Sequence, residues 1–427
     1  MSHRVLVIGN GAREHALAHT LKQSPHVSDV FAAPGNAGIA ELATCVPIES
    51  SSIIELADFA AEVNVSLAVV GPELPLVLGI VDEFHKRDLK IFGPTAAAAE
   101  LEGSKVFAKQ FMQANGIPTA GFEVASSREE AAAILAARDR FPVVLKADGL
   151  AGGKGVFVCP DRAAADEALT RLMDERVFGK AAERIVIEDC LQGTELSFQV
   201  LADGRAVVPL AVARDYKRAR DGGAGPNTGG MGAVSPSRTF SSEAGRVITH
   251  DIVQPTIKAL AEDGRPFTGV LYCGLMLTAD GPKVLEYNVR FGDPETQSVL
   301  PRLDSDLFEL LLAAANGKLD GHKVAWKKTV SASVVLAAKG YPEAVETGQT
   351  IHGLDAVKQL PVTVFHAGSR RDGDRIVTSA GRVLTVNACA PTRARACEVA
   401  YDAVSKISFD GMHYRRDIGS GEDKPTA

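Results

Sequence analysis

The first hundred residues alternate short apolar runs with helix-favouring segments, and this alternation constrains the fold more than any other feature of the chain. The run "RVLVIG" ends in a glycine turn and is followed by the helical pattern "AREHALAHTL". Three further runs, "SDVFAAP", "VSLAVV" and "KIFGP", follow along the chain. Such alternation is typical of parallel strands joined by helices that cover both faces of a sheet. We therefore predict a doubly wound parallel sheet in a first domain over residues 1–104.

The remaining 323 residues of the 427-residue chain are too many for that one core and predict two further domains in an α/β multidomain protein. Strand patterns such as "PVVLKAD", "RIVIED" and "PKVLEYNV" dominate residues 105–325. Short strands with hairpin turns and a closing helix indicate a small α+β domain over residues 326–427. The glycine-rich stretch "ARDYKRARDGGAGPNTGGMGAVS" predicts a long loop, and long loops inside compact domains are usually functional or disordered.

Charge and cysteine usage exclude several classes of partner. The formal net charge of −7 argues against general nucleic-acid binding, which needs a basic face. The six cysteines show neither a CxxC pair nor zinc-ligand spacing, which predicts reduced thiols in the cytoplasm. The N-terminal apolar run is too short for a signal peptide, and no run reaches the length of a membrane span. We expect no membrane partner.

The turn "GNGAREHALA" only partly fits the dinucleotide-binding fingerprint. That fingerprint needs glycine or alanine where this chain has Glu14, and an acidic residue at the end of the second strand, where this chain has "APGNAG". The turn still presents backbone N–H groups at a helix N-terminus, which favours an anion such as phosphate. A purely structural turn is an equal alternative.

The stretch "VVLKADGLAGGKGVFV" places Lys146 inside a strand pattern and Lys154 in a glycine-rich turn. Its spacing is not that of a P-loop. It predicts two strands joined by a mobile flap, because glycines let backbone approach a polyphosphate and lysines neutralise it. The alternative, a solvated hairpin, is disfavoured by a lysine flanked by apolar residues.

The strand pattern "LEYNVR" carries three polar groups at alternate positions. Glu286, Asn288 and Arg290 are expected on one face, with Leu285, Tyr287 and Val289 on the other. A carboxylate and an amide oxygen are hard ligands that suit Mg²⁺, and a guanidinium beside them suits a carboxylate or phosphoryl group. The alternative is an ordinary solvent-exposed face of an antiparallel sheet.

A strand lysine, a glycine-rich flap, an acidic strand end and an E-x-N strand occur here in the order that resembles the ATP-grasp ligases. Within that superfamily the chain is similar to the phosphoribosylamine–glycine ligase family, also called the glycinamide ribonucleotide synthetases, over about residues 1–417. The similar stretches are "GNGAREHAL", "PGNAG", "GPELPL", "IFGPTAAAAELEGSK", "KADGLAGGKGV", "GPNTGGMGA", "RFGDPETQ" and "VVLAAKGYP". "RFGDPE" and "GPNTGGMGA" are the specific ones.

The resemblance implies a central ATP-grasp domain with a flap subdomain at about 123–192, an N-terminal phosphoribosylamine-binding domain, and a cytoplasmic monomer. It implies that ATP, glycine and 5-phosphoribosylamine give glycinamide ribonucleotide, ADP and phosphate through a glycyl phosphate. The expected ATP contacts are Lys105, Lys146, Gly152, Gly153, Lys154, Glu188, Leu191 and Glu195. The expected substrate contacts are Gly11, Glu14, Asn36, Gly38, Glu73, Gly229, Gly230, Met231 and Arg290. Lys146, Asp215, Arg290 and Asp293 are implied in catalysis, and Glu286 and Asn288 in holding Mg²⁺ or Mn²⁺.

The chain departs from the family pattern at three places. "VLYCGLML" offers no further metal carboxylate on the preceding strand, Tyr216 stands where the family often has histidine, and Thr385 replaces a common glycine.

Other functions remain open. Another purine-pathway ATP-grasp carboxylase or a formate-using transferase is disfavoured by "GPNTGGMGA". An NAD-dependent dehydrogenase is disfavoured by Glu14, and a non-catalytic phosphosugar-binding protein by Lys146 together with the E-x-N strand.

Overall fold

The first domain is an open sheet of five parallel strands in the order β3-β2-β1-β4-β5. The computed structural model describes residues 2–238 and 240–420. The elements of this domain are β1 (His3–Gly9), α1 (Ala12–Lys22), β2 (Val27–Pro34), β3 (Thr44–Cys45), α2 (Ile53–Glu62), β4 (Leu67–Val70), α3 (Glu73–Val77), α4 (Ile80–Lys86) and β5 (Ile91–Phe92). The predicted parallel sheet is confirmed. The two-residue strand β3 was not predicted because "TC" contains no apolar run.

Both faces of this sheet are buried, which explains why β1 is a continuous apolar run. Leu6 and Ile8 lie in one core with Phe84 of α4. Val5 and Val7, on the other face, lie in a second core with Leu17 of α1. Parallel strands covered by helices on both sides read as unbroken hydrophobic sequence for this reason.

Two consecutive helices, α5 (Ala96–Gly103) and α6 (Lys105–Ala114), lead into the flap subdomain. The Ser104 hydroxyl accepts a hydrogen bond from Phe107 N–H and so caps α6. The flap has a four-stranded sheet in the order β6-β9-β7-β8 and its own hydrophobic core. Its elements are β6 (Phe122–Ala125), α7 (Arg128–Ala137), β7 (Val143–Ala147), β8 (Val156–Cys159), α8 (Arg162–Leu169) and β9 (Ile185–Asp189).

A second, antiparallel sheet forms the centre of the molecule, in the order β11-β10-β16-β17. This part of the chain contains β10 (Thr194–Asp203), β11 (Val207–Pro209), β12 (Arg214–Asp215), β13 (Arg218–Arg220), β14 (Ala224–Asn227), β15 (Gly232–Ser235), α9 (Ser242–Ile248), α10 (Gln254–Glu262), β16 (Thr268–Thr278), β17 (Gly281–Asn288), α11 (Glu295–Val299) and α12 (Leu307–Ala315). The Asp306 carboxylate caps α12.

The expected alternation along β17 is wrong at one residue. The register slips between Gly274 and Leu275 of β16, so that Leu275 faces Val284 and Leu285 is left as a bulge. Val284 therefore takes the core position expected for Leu285. The strand also ends at Asn288, so Arg290 lies beyond it and reaches the site from the turn that follows.

The glycine-rich stretch expected to be one long loop is also corrected: it contains β12 to β15. The C-terminal sheet has the order β12-β15-β18-β22-β19, in which β12 pairs with β15, and β15 pairs with β18 about one hundred residues further along the chain. Local sequence could not predict these strands, because β15 forms by pairing with β18, a distant part of the chain. At Gly232 a Cβ would lie 2.5 Å from the Ser333 carbonyl oxygen, so close pairing requires glycine.

The C-terminal domain packs this sheet against α14 around a separate core. Its elements are β18 (Val330–Ala337), α13 (Leu354–Val357), β19 (Val362–His366), β20 (Ser369–Asp372), β21 (Arg375–Thr378), β22 (Arg382–Ala390) and α14 (Arg393–Val404). Because β12 and β15 belong to this sheet, the sheet crosses the domain boundary expected at residue 325. Across the described residues no helix is long and apolar enough to cross a membrane.

Candidate active site

Glu286 and Asn288 lie at the end of β17 and mark the centre of the site. Gly274 faces Glu286 across the sheet and Tyr272 faces Asn288. A Cβ at Gly274 would lie 3.2 Å from the Glu286 Cγ, so glycine there leaves room for the carboxylate. Both polar side chains are half-buried and not part of the hydrophobic core.

Three lysines surround the Glu286 carboxylate. Lys217 Nζ lies 3.7 Å from it. Burial would raise the pKa of Glu286, but the charges of Lys217, Lys146 and Lys105 outweigh burial and hold this pKa below its ordinary value. Burial lowers the pKa of Lys105, and Glu286 opposes that effect. The site therefore combines an ionised carboxylate with three lysines, and lysines can neutralise a polyphosphate.

Lys146 projects from β7 of the flap and is held by two partners. Its Nζ lies 2.5 Å from Glu188 Oε1 and donates to the carbonyl oxygen of Leu285, the bulged residue, at 3.0 Å. The other oxygen of Glu188 lies 2.5 Å from Lys109 Nζ. The Glu188 carboxylate thus orients two lysines, and the adenine contact expected for this residue stays a prediction.

The turn between β7 and β8 projects away from the flap sheet. Gly152 and Gly153 have φ values of +57° and +74°, and a Cβ on either would meet no atom within 4 Å. Lys154 beside them is exposed, and Leu191 follows β9 at the other end of the same sheet. The glycines adopt a conformation that other residues rarely take, and the open space around them leaves the turn room to move over a ligand.

Sequence analysis did not predict Lys217 as a site residue, yet it lies between two residues that were expected there, Glu195 and Glu286. Its Nζ is 3.8 Å from Glu195 and 3.7 Å from Glu286. Burial opposes its charge, yet Glu195 and Glu286 raise its pKa above the ordinary value. The segment "RDYK" was interpreted as loop, so the alternation that places Asp215 and Lys217 on one side was not used.

Arg290 joins the first domain to the central domain. Its guanidinium lies 3.3 Å from Glu73 at the start of α3 and 3.0 Å from Glu102. Glu102 also accepts a hydrogen bond from Val289 N–H at 2.7 Å. Burial raises the pKa of Glu102 to about 7 against the opposing charge of Arg290. Glu73 is paired with Arg290 in this structure. The ribose contact expected for Glu73 stays a prediction.

Asp215 lies buried beneath the Gly229–Met231 segment. Within the described part of the chain its Oδ1 has no hydrogen-bond partner. Burial and the neighbouring charge of Glu295 raise the pKa of this carboxyl group well above its ordinary value. At Gly230, where φ is +110°, a Cβ would lie 2.6 Å from Asp215 Oδ1. Met231 is buried. An unpaired acceptor under a glycine-lined wall suits a small ligand with N–H donors.

Asp293 lies in the turn that follows Arg290, Glu295 begins α11, and the two carboxylates belong to different networks. The Tyr272 hydroxyl donates to Glu295 at 2.5 Å, and the Ser197 hydroxyl donates to it at 2.9 Å. Asp293 lies 3.2 Å from Arg382 of β22. Burial would raise the pKa of Asp293, but Arg382 and Arg13 outweigh burial and lower it. Apart from Asp293, none of these partners was expected from the sequence.

Three turns of the first domain meet at the carboxyl edge of its sheet. Gly11 N–H donates to Glu14 at 2.5 Å, a capping box at the start of α1. Asn36 accepts hydrogen bonds from the N–H groups of Gly38 and Ile39. A Cβ at Gly71 would overlap Glu14. Since Glu14 occupies the Gly11 amide, an anion here must use other donors than that one.

The donor set at β17 fits a divalent cation that also binds a ligand. Within the described residues no cluster of three His, Cys, Asp or Glu side chains could hold a metal alone. Ionised Glu286 and the Asn288 amide together supply two hard oxygen ligands, and Mg²⁺ commonly completes its shell with water and phosphate oxygens.

The flap and central sheets meet at Lys146, with three lysines around a Glu-x-Asn strand end, and this arrangement defines an ATP-grasp enzyme. Comparison with family models agrees. The models described as phosphoribosylglycinamide synthetase N domain, ATP-grasp (A) domain and C domain match residues 3–102, 103–296 and 331–421. The chain belongs to the phosphoribosylglycinamide synthetase family.

Individual relatives support this assignment along the whole chain. The phosphoribosylamine–glycine ligase of Halalkalibacterium halodurans is 47% identical over 97% of this chain and 96% of its own length. That of Allochromatium vinosum is 48% identical over 97% and 98%. The crystal structure of phosphoribosylamine–glycine ligase from Thermotoga maritima is 35% identical, with a TM-score of 0.83 over 97% of this chain and 100% of that one. A biotin carboxylase domain from Hydrogenobacter thermophilus, 18% identical with a TM-score of 0.74, shares the fold.

Proposed function

We propose that this chain joins glycine to 5-phosphoribosylamine at the expense of ATP, giving glycinamide ribonucleotide, ADP and phosphate in purine biosynthesis. The observation that carries the proposal is the cluster of Lys105, Lys146 and Lys217 around ionised Glu286, where the flap meets the central sheet. Family membership gives the cluster its substrates.

The chemistry requires an activated carboxylate, because a free carboxylate is a poor electrophile. A glycine carboxylate oxygen attacks the γ-phosphorus of ATP, the bond to ADP breaks, and a glycyl phosphate forms. The amine of phosphoribosylamine then attacks the acyl carbon, phosphate leaves, and the amine loses a proton. Such phosphoryl transfer depends mainly on positioning and charge neutralisation, which Lys105 and Lys146 supply. Arg290 faces the glycyl phosphate.

Glu286 and Asn288 would hold Mg²⁺ or Mn²⁺, and a bound cation neutralises phosphate charge and orients the phosphoryl group. The flap residues Gly152 to Lys154 close over the phosphates. Leu191 and Glu195 contact the nucleoside. These assignments follow from position in the ATP-grasp fold and from the local charges given above.

The glycine pocket lies under the Gly229–Met231 segment. The unpaired Asp215 oxygen faces Gly230 and is placed to accept from the glycine amine. Phosphoribosylamine binds at the three turns of the first domain, whose carboxyl edge is where open α/β sheets bind ligands. Gly11 and Asp293 bring that edge to the glycine pocket, because a Cβ at Gly11 would lie 3.7 Å from Asp293 Oδ2.

The free cysteines of the described chain fit the reducing cytoplasm, where we place the enzyme, as a monomer.

The direct test is an assay of ADP release with each substrate omitted in turn. The proposal predicts full release only when ATP, glycine and phosphoribosylamine are present together, with a product whose mass equals glycinamide ribonucleotide. Equal ADP release when bicarbonate or formate replaces glycine contradicts it and favours a different ATP-grasp reaction.

A further inference from the structure

The C-terminal domain binds both backbone polar groups of Gly229, its N–H and its carbonyl oxygen. Its N–H donates to the Tyr341 hydroxyl at 3.0 Å. Its carbonyl oxygen accepts from Arg382 Nη1 at 2.7 Å. Tyr341 follows β18 and Arg382 begins β22, so two separate segments of the C-terminal domain fix the two peptide groups that flank the Gly229 Cα.

Arg382 reaches a second loop of the site with the same nitrogen. Nη1 donates to the carbonyl oxygen of Asp293 at 3.0 Å and lies 3.2 Å from the carboxylate of that residue. One guanidinium therefore joins the glycine-rich segment to the turn that follows Arg290. Hydrogen bonds from a charged donor are the stronger kind, and a planar guanidinium directs them.

Packing around these two side chains is close. A Cβ at Gly229 would lie 3.1 Å from Arg382 Cζ, and a Cβ at Gly381 would lie 2.4 Å from the Tyr341 ring. Next to the held peptide, a Cβ at Gly230 would lie 2.6 Å from Asp215 Oδ1 and 2.3 Å from Pro294 Cδ. A small displacement of the Gly229 peptide would therefore change the wall that faces Asp215.

We propose that Tyr341 and Arg382 are positioning residues that hold the Gly229–Met231 segment in its substrate-binding form, so that the C-terminal domain completes the site for glycine and phosphoribosylamine. The inference rests on the proposed function. Their described hydrogen bonds and ion pairs go to Gly229 and Asp293 and not to the lysine cluster around Glu286, so ATP binding should be left unchanged.

The test compares Tyr341→Phe, Arg382→Met and Arg382→Lys with Arg375→Ala, which removes an exposed arginine of the same domain. Loss of one neutral hydrogen bond in Tyr341→Phe raises the KM for glycine about 3- to 10-fold, and loss of the charged donor in Arg382→Met raises it roughly 10- to 100-fold. The KM for ATP stays within about twofold, and Arg382→Lys recovers part of the loss. Because both side chains hold the backbone of the same residue, the glycine KM of the double variant rises by less than the product of the two single-variant rises.

Hydrogen exchange separates this inference from the proposed function. Peptides covering residues 228–232 exchange faster in Arg382→Met than in wild type without any substrate, whatever reaction the enzyme catalyses. Unchanged exchange there, or an ATP KM that rises as much as the glycine KM, overturns the proposal. If Arg382→Met does not fold, Tyr341→Phe, which removes a single oxygen atom, carries the same test. A wild-type enzyme without ligase activity would refute the proposed function, whereas hydrogen exchange would still test whether Tyr341 and Arg382 hold the Gly229–Met231 segment.

Discussion

At the scale of single residues, the site depends on charges that burial disfavours and neighbours restore. Burial alone would raise the pKa of Glu286 and lower the pKa of Lys217, so that both groups would tend to lose their charge. The charge of each group opposes this effect on the other and favours its charged form. Breaking one member of such a network leaves its partners uncompensated and therefore costs more than the pair contributes.

Glu286→Gln keeps the shape of the side chain and removes its charge. We expect turnover at limiting Mg²⁺ to fall about 100-fold or more, because the variant loses a hard metal ligand worth several kcal/mol. The change is measured by steady-state assay with a Mg²⁺ titration. Glu309→Gln, at an exposed glutamate of α12, serves as the control and should not alter turnover. Near wild-type activity of Glu286→Gln at limiting Mg²⁺ would remove the metal assignment.

Glu102 gives the chain a pH-dependent stability with a definite sign. Its pKa is about 7 in the folded chain, above the ordinary 4.5, so the folded state binds more protons between these values. Stability therefore falls as pH rises through this window. Glu102→Gln lacks that dependence, so the midpoint of thermal unfolding of wild type should decline relative to the variant from pH 4.5 to 7. Parallel midpoints across the window would show that Glu102 is not protonated in the folded chain.

Sequence alone placed Lys146, Glu286 and Asn288 in the site because each belongs to a strand pattern with polar groups at defined positions. It could not find Glu102 or Arg382. Glu102 ends an alanine-rich helix without any polar pattern, and Arg382 reaches the site from the C-terminal domain. Such residues are brought in by tertiary contact, which local spacing does not record.

At the scale of elements, the flap turn is the segment best placed to move. A Cβ at Gly152 or Gly153 would meet no atom within 4 Å. Lys146 lies near the end of β7, where the turn begins, and is held by Glu188 and the Leu285 carbonyl oxygen. The turn can close while its base stays fixed, as active-site lids commonly do.

Amides of residues 149–155 should exchange more slowly when a non-hydrolysable ATP analogue and Mg²⁺ are added. Closure over the phosphates shields the turn from solvent, and hydrogen exchange with mass spectrometry measures that change. The β20–β21 hairpin in the C-terminal domain is the internal control and should not respond. Equal exchange of the turn with and without nucleotide would rule out closure.

The elements that sequence predicted best were those with complete local patterns, such as β1 with α1. The bulge at Leu285 and the strands β12 to β15 were not predictable in the same way. The bulge is set by register with β16, and β15 becomes a strand by pairing with β12 and with the distant β18.

At the scale of the whole molecule, each of the three domains supplies a different part of the proposed site. The first domain supplies turns at a sheet edge, the central domain supplies cations and the E-x-N strand, and the C-terminal domain supplies Arg382. Arg290 ties the first two together through Glu73 and Glu102.

Glycinamide ribonucleotide should protect the first-domain turns, residues 9–14 and 34–38, in hydrogen exchange. A phosphosugar orders these backbone amides at the carboxyl edge of the sheet. NAD should leave them unchanged, and the flap helix α7 should not respond to the nucleotide product. Protection by NAD instead would favour a dinucleotide site and contradict the substrate assigned to this domain.

The central claim is that glycine is activated as an acyl phosphate, and oxygen transfer tests this most directly. With glycine labelled with ¹⁸O at both carboxylate oxygens, one label should appear in inorganic phosphate and the other in the product amide. The phosphate acquires its label because the glycine oxygen that attacks the γ-phosphorus leaves with it. Mass spectrometry of phosphate from a single round of product formation measures the transfer. Phosphate without ¹⁸O, alongside normal yield of glycinamide ribonucleotide, would contradict the account.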